Sequence, residues 1–125
     1  MKKVYLLRST TVKKLSREFA PLLRSRNAQA ALMMLKPGGS SSESVENEHP
    51  QAEQWLFVIS GSGQVTVGKR RIRLWQHILL LIERKEKHRI TNTGRTNLVT
   101  LNWYCPAAYT RDGRVLTRAA RGTSR

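Results

Sequence analysis

The chain has one cysteine, Cys105, among its 125 residues, so no internal disulfide can staple it. A lone thiol agrees with a reducing compartment, and a cytoplasmic location is expected. Long apolar runs are also missing. The run Ile78 to Ile82 holds five residues, far short of the ~20 that a membrane helix requires. The stretch Met1-Lys2-Lys3-Val4-Tyr5-Leu6-Leu7-Arg8 begins like a secretory leader, but its apolar part is too short and more lysines follow in place of a cleavage site. Aromatic residues are only 6% of the chain, which leaves little for stacking against nucleic-acid bases. Catalytic templates are absent too: no glycine-rich phosphate loop, no Gly-x-Ser-x-Gly elbow, no Cys-x-x-Cys and no His-Glu-x-x-His. Any chemistry has to come from the interior of the fold.

Acids are the scarcest charged group. Eight carboxylates face 23 lysines and arginines, for a net charge of +15. Such an excess attracts anionic surfaces and nucleic acid through phosphate contacts and counterion release. The basic residues crowd positions 2–26, the ribbon Lys69-Arg70-Arg71-Ile72-Arg73, the turn from Arg84 to Arg89 and the tail from Arg111 onward. Four of the eight acids lie instead between Glu43 and Glu53. A basic protein has thus gathered half its carboxylates in one short stretch, which is where a cation would be expected.

The length suits one domain with a modest core. Residues 1–27 form a basic N-terminal segment, with Val4–Leu7 a candidate edge strand and residues 15–20 a short helical turn ended by Pro21. A barrel is expected over 28–109, and a basic, frayed tail over 110–125. Strands are expected at Ala28 to Leu35, Trp55 to Ser60, Gln64 to Val67, Arg71 to Leu74, Gln76 to Ile82 (fully buried), His88 to Asn92 and Asn97 to Tyr104. Glycine-rich turns such as Pro37-Gly38-Gly39, Gly61-Ser62-Gly63, Gly68-Lys69 and Thr93-Gly94 divide them. Many short strands with almost no helical periodicity indicate an all-β sandwich or barrel.

The order of turns and histidines resembles the cupin family of small bacterial β-barrels, across roughly residues 30–105. The family's first motif runs Gly, five residues, His-x-His, three or four residues, Glu, six residues, Gly. Gly61 stands at its last position. Counting back puts Gln54 where the family has glutamate, His49 at the second histidine and Asn47 at the first. The second motif runs Gly, five residues, Pro-x-Gly, two residues, His, three residues, Asn. His88 and Asn92 match its final pair, while His77 replaces the first glycine and Glu83 and Lys85 stand where Pro and Gly are usual. The resemblance implies an all-β, cupin-type double-stranded β-helix (jelly-roll) barrel.

It also implies a site. Full cupin motifs hold one divalent metal with three histidines and a glutamate, and those places map to Asn47, His49, Gln54 and His88. Glu46, Glu48, Glu53 and Asn92 are candidate supporting residues. Strand parity supports part of the grouping independently: His88, Ile90 and Asn92 share a face, and Glu53 and Gln54 point oppositely. Two imidazoles with two amides make an uncharged shell for Zn, Ni, Fe or Mn, so the residues leave open whether a metal is held or the cavity persists without one. The expected ligand is a small molecule, sugar-like, an organic acid or another anion. Arg84, Lys85, Lys87 and Arg89 are candidates for drawing an anion in. If catalytic, the chain would act as a metal-dependent isomerase or dioxygenase. His77 reads as a turn residue, Asn92 also reads as a satisfier of backbone groups, and Cys105 reads as a small hydrophobe rather than a nucleophile. Trp55, Phe57 and Trp103 read as core or subunit-interface residues. A homodimer with paired sheets is expected, and no membrane partner. The competing reading is a nucleic-acid-associated protein that uses the Lys69–Arg73 ribbon and the basic tail.

Overall fold

The computed structural model describes residues 1–6, 19–42 and 50–116. Eight strands form among them: β1 (Phe19–Arg24), β2 (Gln29–Leu35), β3 (Glu53–Ser60), β4 (Gly63–Val67), β5 (Arg70–Leu74), β6 (Leu79–Ile82), β7 (His88–Thr91) and β8 (Leu98–Cys105). They build a five-stranded sheet in the order β1-β2-β8-β3-β6 and a three-stranded sheet in the order β5-β4-β7. Every pairing is antiparallel. The all-β expectation holds, and no helix occurs among the described residues.

Period-two alternation decides what each sheet buries. On β3, Gln54, Leu56 and Val58 are buried, while Trp55, Phe57 and Ile59 are half-buried on the other face. The main core joins Met33, Leu35, Leu56, Val58, Ile82 and Leu98 of the larger sheet to Val65, Leu74 and Ile90 of the smaller one. A second cluster of Ala31, Ala52, Tyr104, Ala108 and Tyr109 extends this interior, with Phe19 tilted on Tyr109 at a centroid distance of 4.7 Å.

Three local expectations need correction. Pro21 does not end a helix: it lies inside β1, the edge strand, at an irregularity in the register between Pro21 and Leu23. An edge strand tolerates a residue without an N–H because one side of its ladder has no neighbour. The run from Gln76 to Ile82 is not a fully buried strand either. Its strand begins at Leu79, and Leu79 and Leu81 are 56% and 38% exposed because β6 is the other edge. Third, residues 110–116 of the segment expected to fray turn back instead, with Leu116 donating to the Ala108 carbonyl and packing in a buried position. Val4 and Tyr5 are exposed and make no strand.

The second sequence motif keeps its backbone shape although it has lost its glycines. His77 and Lys85, at the two glycine positions, have φ of 74° and 68°. Left-handed backbone costs a residue with a Cβ about 1 kcal/mol. The bends are therefore imposed by the pairing of β3 with β6 and by the turn into β7 rather than by local preference. His77 is held there by its amide, which donates to the Val58 carbonyl at 2.8 Å, and by its ring, stacked on Phe57.

The outer face of the five-stranded sheet is largely apolar. Val99, Leu101 and Trp103 of β8 lie there beside Trp55, Phe57 and Ile59 of β3. Leu6 and Leu22 pack over part of this face near β2.

Candidate functional site

Polar side chains enter the barrel from β3, β7 and β8. Gln54, His88, Thr100 and Asn102 are all buried. Asn102 lies opposite Leu56 and Tyr104 lies opposite Gln54, so Gln54 and Asn102 are diagonal neighbours on the inner face. Gln54 Nε2 donates to Asn102 Oδ1 at 2.9 Å. Asn102 Nδ2 in turn donates to Thr100 Oγ1 at 2.9 Å and to the Thr100 carbonyl at 3.2 Å. The Thr100 carbonyl only accepts, so the Asn102 amide nitrogen faces it, Asn102 Oδ1 faces Gln54, and the order of donors follows.

His88 enters from β7, opposite Val67 of β4. Its Nδ1 lies 3.0 Å from the Glu86 carbonyl oxygen. A carbonyl only accepts, so Nδ1 carries the proton, and in the neutral ring Nε2 holds the lone pair.

The other candidates separate sharply. Asn92 is buried, but its side chain clamps backbone: Nδ2 donates to the Leu35 and Thr96 carbonyls, each at 2.8 Å, and Oδ1 accepts from the Gly94 amide at 2.8 Å. It ties the end of β2 to the turn after β7. Glu53 is on the face of β3 opposite Gln54, where Oε1 accepts from Trp55 Nε1 at 3.3 Å. Arg84, Lys85 and Lys87 are exposed on the β6–β7 turn, and Arg89 Nε donates to the Ser42 carbonyl at 2.8 Å. Asn47, His49, Glu46 and Glu48 lie outside the described residues.

Asn102 and Thr100 were not among the residues singled out from the sequence. On β8 the more apolar parity is Val99, Leu101 and Trp103, which draws the eye to the outer face. The available signal was Leu98 and Tyr104, apolar residues sharing parity with Thr100 and Asn102.

The inward-facing side chains among the described residues do not by themselves make up a divalent-ion site. Among the described residues, no group of three His, Cys, Asp or Glu side chains converges. Those described residues that face the barrel interior offer one imidazole and uncharged amide and hydroxyl groups, without a carboxylate to offset a dication. Cys105 does not supply the missing anion. It lies opposite Glu53 on the outward parity, and burial, with the negative charge of Glu53, raises its thiol pKa above the usual value against a weaker pull from Arg84. A thiol so disposed is a poor nucleophile.

The outer face of the three-stranded sheet has the opposite character. Register aligns Arg71, Thr66 and Arg89 in one row and Arg73, Gln64 and Thr91 in the next. Trp75 follows on the parity of Arg73 and is 56% exposed.

A family model described as a cupin domain matches residues 31–104. A tetracenomycin polyketide synthase protein, TcmJ of Streptomyces glaucescens, is 37% identical over 60 residues, which is 48% of this chain and 38% of that protein. The match therefore spans well under half of that relative. Among solved structures, the BH2720 protein of Bacillus halodurans superposes with a TM-score of 0.69 at 23% identity, covering 90% of this chain and 89% of that one. A predicted oxalate decarboxylase from Thermotoga maritima gives a TM-score of 0.60 at 23% identity, covering 71% of this chain and 79% of that one. These structural likenesses extend to the fold.

Proposed function

Because the chain belongs to the cupin family, we propose that its barrel binds a small polar organic molecule, an organic acid or a sugar-like compound, through neutral hydrogen-bonding groups. The observation that carries this reading is the buried chain from Gln54 through Asn102 to Thr100, entering the same interior as His88. Buried amides cost stability unless fully satisfied, and apolar residues would fill a purely structural barrel more cheaply. Amide, imidazole and hydroxyl side chains are the chemistry that matches the hydroxyl and carboxyl groups of such a molecule. Binding without turnover is sufficient to account for them.

Elemental analysis of gently purified, tag-free protein comes first, beside a His49→Ala/His88→Ala variant. Then the side-chain amide resonances of Gln54 and Asn102 are followed by NMR during titration with malate and citrate. We expect negligible metal in both proteins and saturable shifts in those amides that EDTA leaves unchanged. Stoichiometric metal in the native protein, absent from the variant, would replace this reading with a metal site.

One observation favours a second reading. Trp75 is exposed beside Arg73 and Arg71 on a sheet face rich in cations, the combination that single-stranded nucleic acid recognises by stacking and phosphate contact. Fluorescence anisotropy with a single-stranded oligonucleotide tests it. Arg71→Ser/Arg73→Ser is expected to reduce the slope of log affinity against log salt by roughly two. No binding at physiological salt would end this reading.

A further inference from the structure

A cavity of about 560 Å³ lies outside the barrel interior, between the β1–β2 turn and the chain that leaves β8. Four cations line it: Lys2, Arg24, Arg26 and Arg111. Among the described residues, no carboxylate does. The acid next in sequence to Arg111, Asp112, is engaged by Arg114 at 3.1 Å. Like charges gathered in a concavity repel one another and focus a positive potential there.

Both walls are fastened. On one side, Ser25 closes the β1–β2 turn: its amide donates to the Ala28 carbonyl at 2.8 Å, and its hydroxyl accepts from the Asn27 and Ala28 amides at 3.2 Å each. Lys2 Nζ donates to the Arg24 carbonyl at 2.8 Å. On the other side, buried Gln29 holds the segment after β8. Its Oε1 accepts from the Ala108 amide at 3.2 Å and the Tyr109 amide at 2.9 Å, and its Nε2 donates to the Tyr109 carbonyl at 3.0 Å. Gln29 thus gives up every polar atom of its side chain to shape the wall. The cations stand on a prebuilt rim, which lowers the ordering cost of binding.

We propose that this cavity binds a phosphate monoester. Guanidinium forks match phosphate oxygens two at a time, and a tetrahedral dianion can accept from several cations at once. Pro21, Leu23, Pro106 and Ala107 give the cavity apolar wall, and its volume falls within the range of organic-ligand sites rather than that of a bare ion. The organic part of the ester would rest on that wall. The site is separate from the barrel network: Gln29, Tyr104 and Gln54 stand in one row across β2, β8 and β3, with Tyr104 between the two sites.

Isothermal titration at about 0.15 M salt, near physiological ionic strength, tests this with glucose 6-phosphate, inorganic phosphate and glucose. The proteins are the native chain, Arg26→Ser/Arg111→Ser, Gln54→Leu, and Arg84→Ser/Lys87→Ser, which removes the same charge elsewhere. Circular dichroism checks that each is folded. Glucose 6-phosphate is expected to bind the native chain and glucose to leave it unchanged. The cavity variant should bind the ester about tenfold more weakly or worse, as expected for lost charge-assisted hydrogen bonds, while the other two variants stay within about twofold. Three outcomes would overturn the proposal: equal weakening in the two charge variants, loss only in Gln54→Leu, or no binding of either phosphate by the native chain. The second would place the ester in the barrel and leave the barrel reading standing.

Discussion

Gly61→Ala is expected to lower the unfolding free energy by about 3 kcal/mol or more, a large share of the stability of a domain this size. Gly61 ends the first sequence motif and turns the chain from β3 into β4. Two penalties coincide there. Its φ is +87°, which a residue with a Cβ adopts at a cost. A Cβ on this backbone would also come within 2.3 Å of the Asn97 carbonyl oxygen and 2.9 Å of Leu98 Cα. These are backbone atoms at the entry to β8, the strand that pairs with both β2 and β3. They cannot swing aside as a side-chain end would. Gly68 supplies the control, since its φ is +58° but nothing stands within 4 Å of a Cβ there. Gly68→Ala should cost only the conformational part, about 1 kcal/mol. Urea denaturation of the two variants separates the effects. Equal losses would mean that the β3–β4 turn shifts freely and that close approach to β8 does not fix this glycine.

The contrast between these glycines also indicates what a sequence can disclose. Turn glycines and period-two strands were legible because both are local: alternation on β3, β4 and β7 names the buried face directly. Edge position is not local. Ile78 to Ile82 reads as a buried strand, yet only the global strand order makes β6 an edge and leaves Leu79 half outside. Pro21 misled for the same reason, since its tolerance depends on having no neighbour on one side. The polar interior was half legible. Gln54 and His88 emerged from motif spacing, and both are buried as that spacing required. Asn102 and Thr100 belong to no motif. They matter because β8 pairs with β3 in a register that sets Asn102 diagonal to Gln54. The basic cavity was invisible for a related reason: Lys2, Arg24 and Arg111 meet only after the chain has folded.

Gln54→Glu should raise metal affinity while destabilising the metal-free protein. The residue stands at the motif's glutamate position, its side chain is buried, and its amide nitrogen donates to Asn102 Oδ1. A carboxylate there would place an oxygen against that oxygen, and Asn102 would have to turn its amide away from Thr100 to donate. Either outcome costs about 2 kcal/mol, the usual price of a buried polar group left unsatisfied. Burial would raise the new carboxyl above its unfolded pKa of about 4.3. Such a group favours the folded state in its protonated form. Stability relative to the native chain should therefore fall as pH rises above the unfolded value, and the loss should be complete once pH passes the folded pKa. A dication reverses the balance, because the buried negative charge then has a partner. Zinc or manganese is expected to bind the variant at least about tenfold more tightly than the native chain, a gain of about 1.4 kcal/mol. Added metal should accordingly raise the melting temperature of Gln54→Glu and leave the native protein's almost unmoved. If metal stabilises the native chain as strongly as the variant, then the amide at position 54 is not what sets this barrel apart from a metal-holding one, and its ligands must come from residues 43–49.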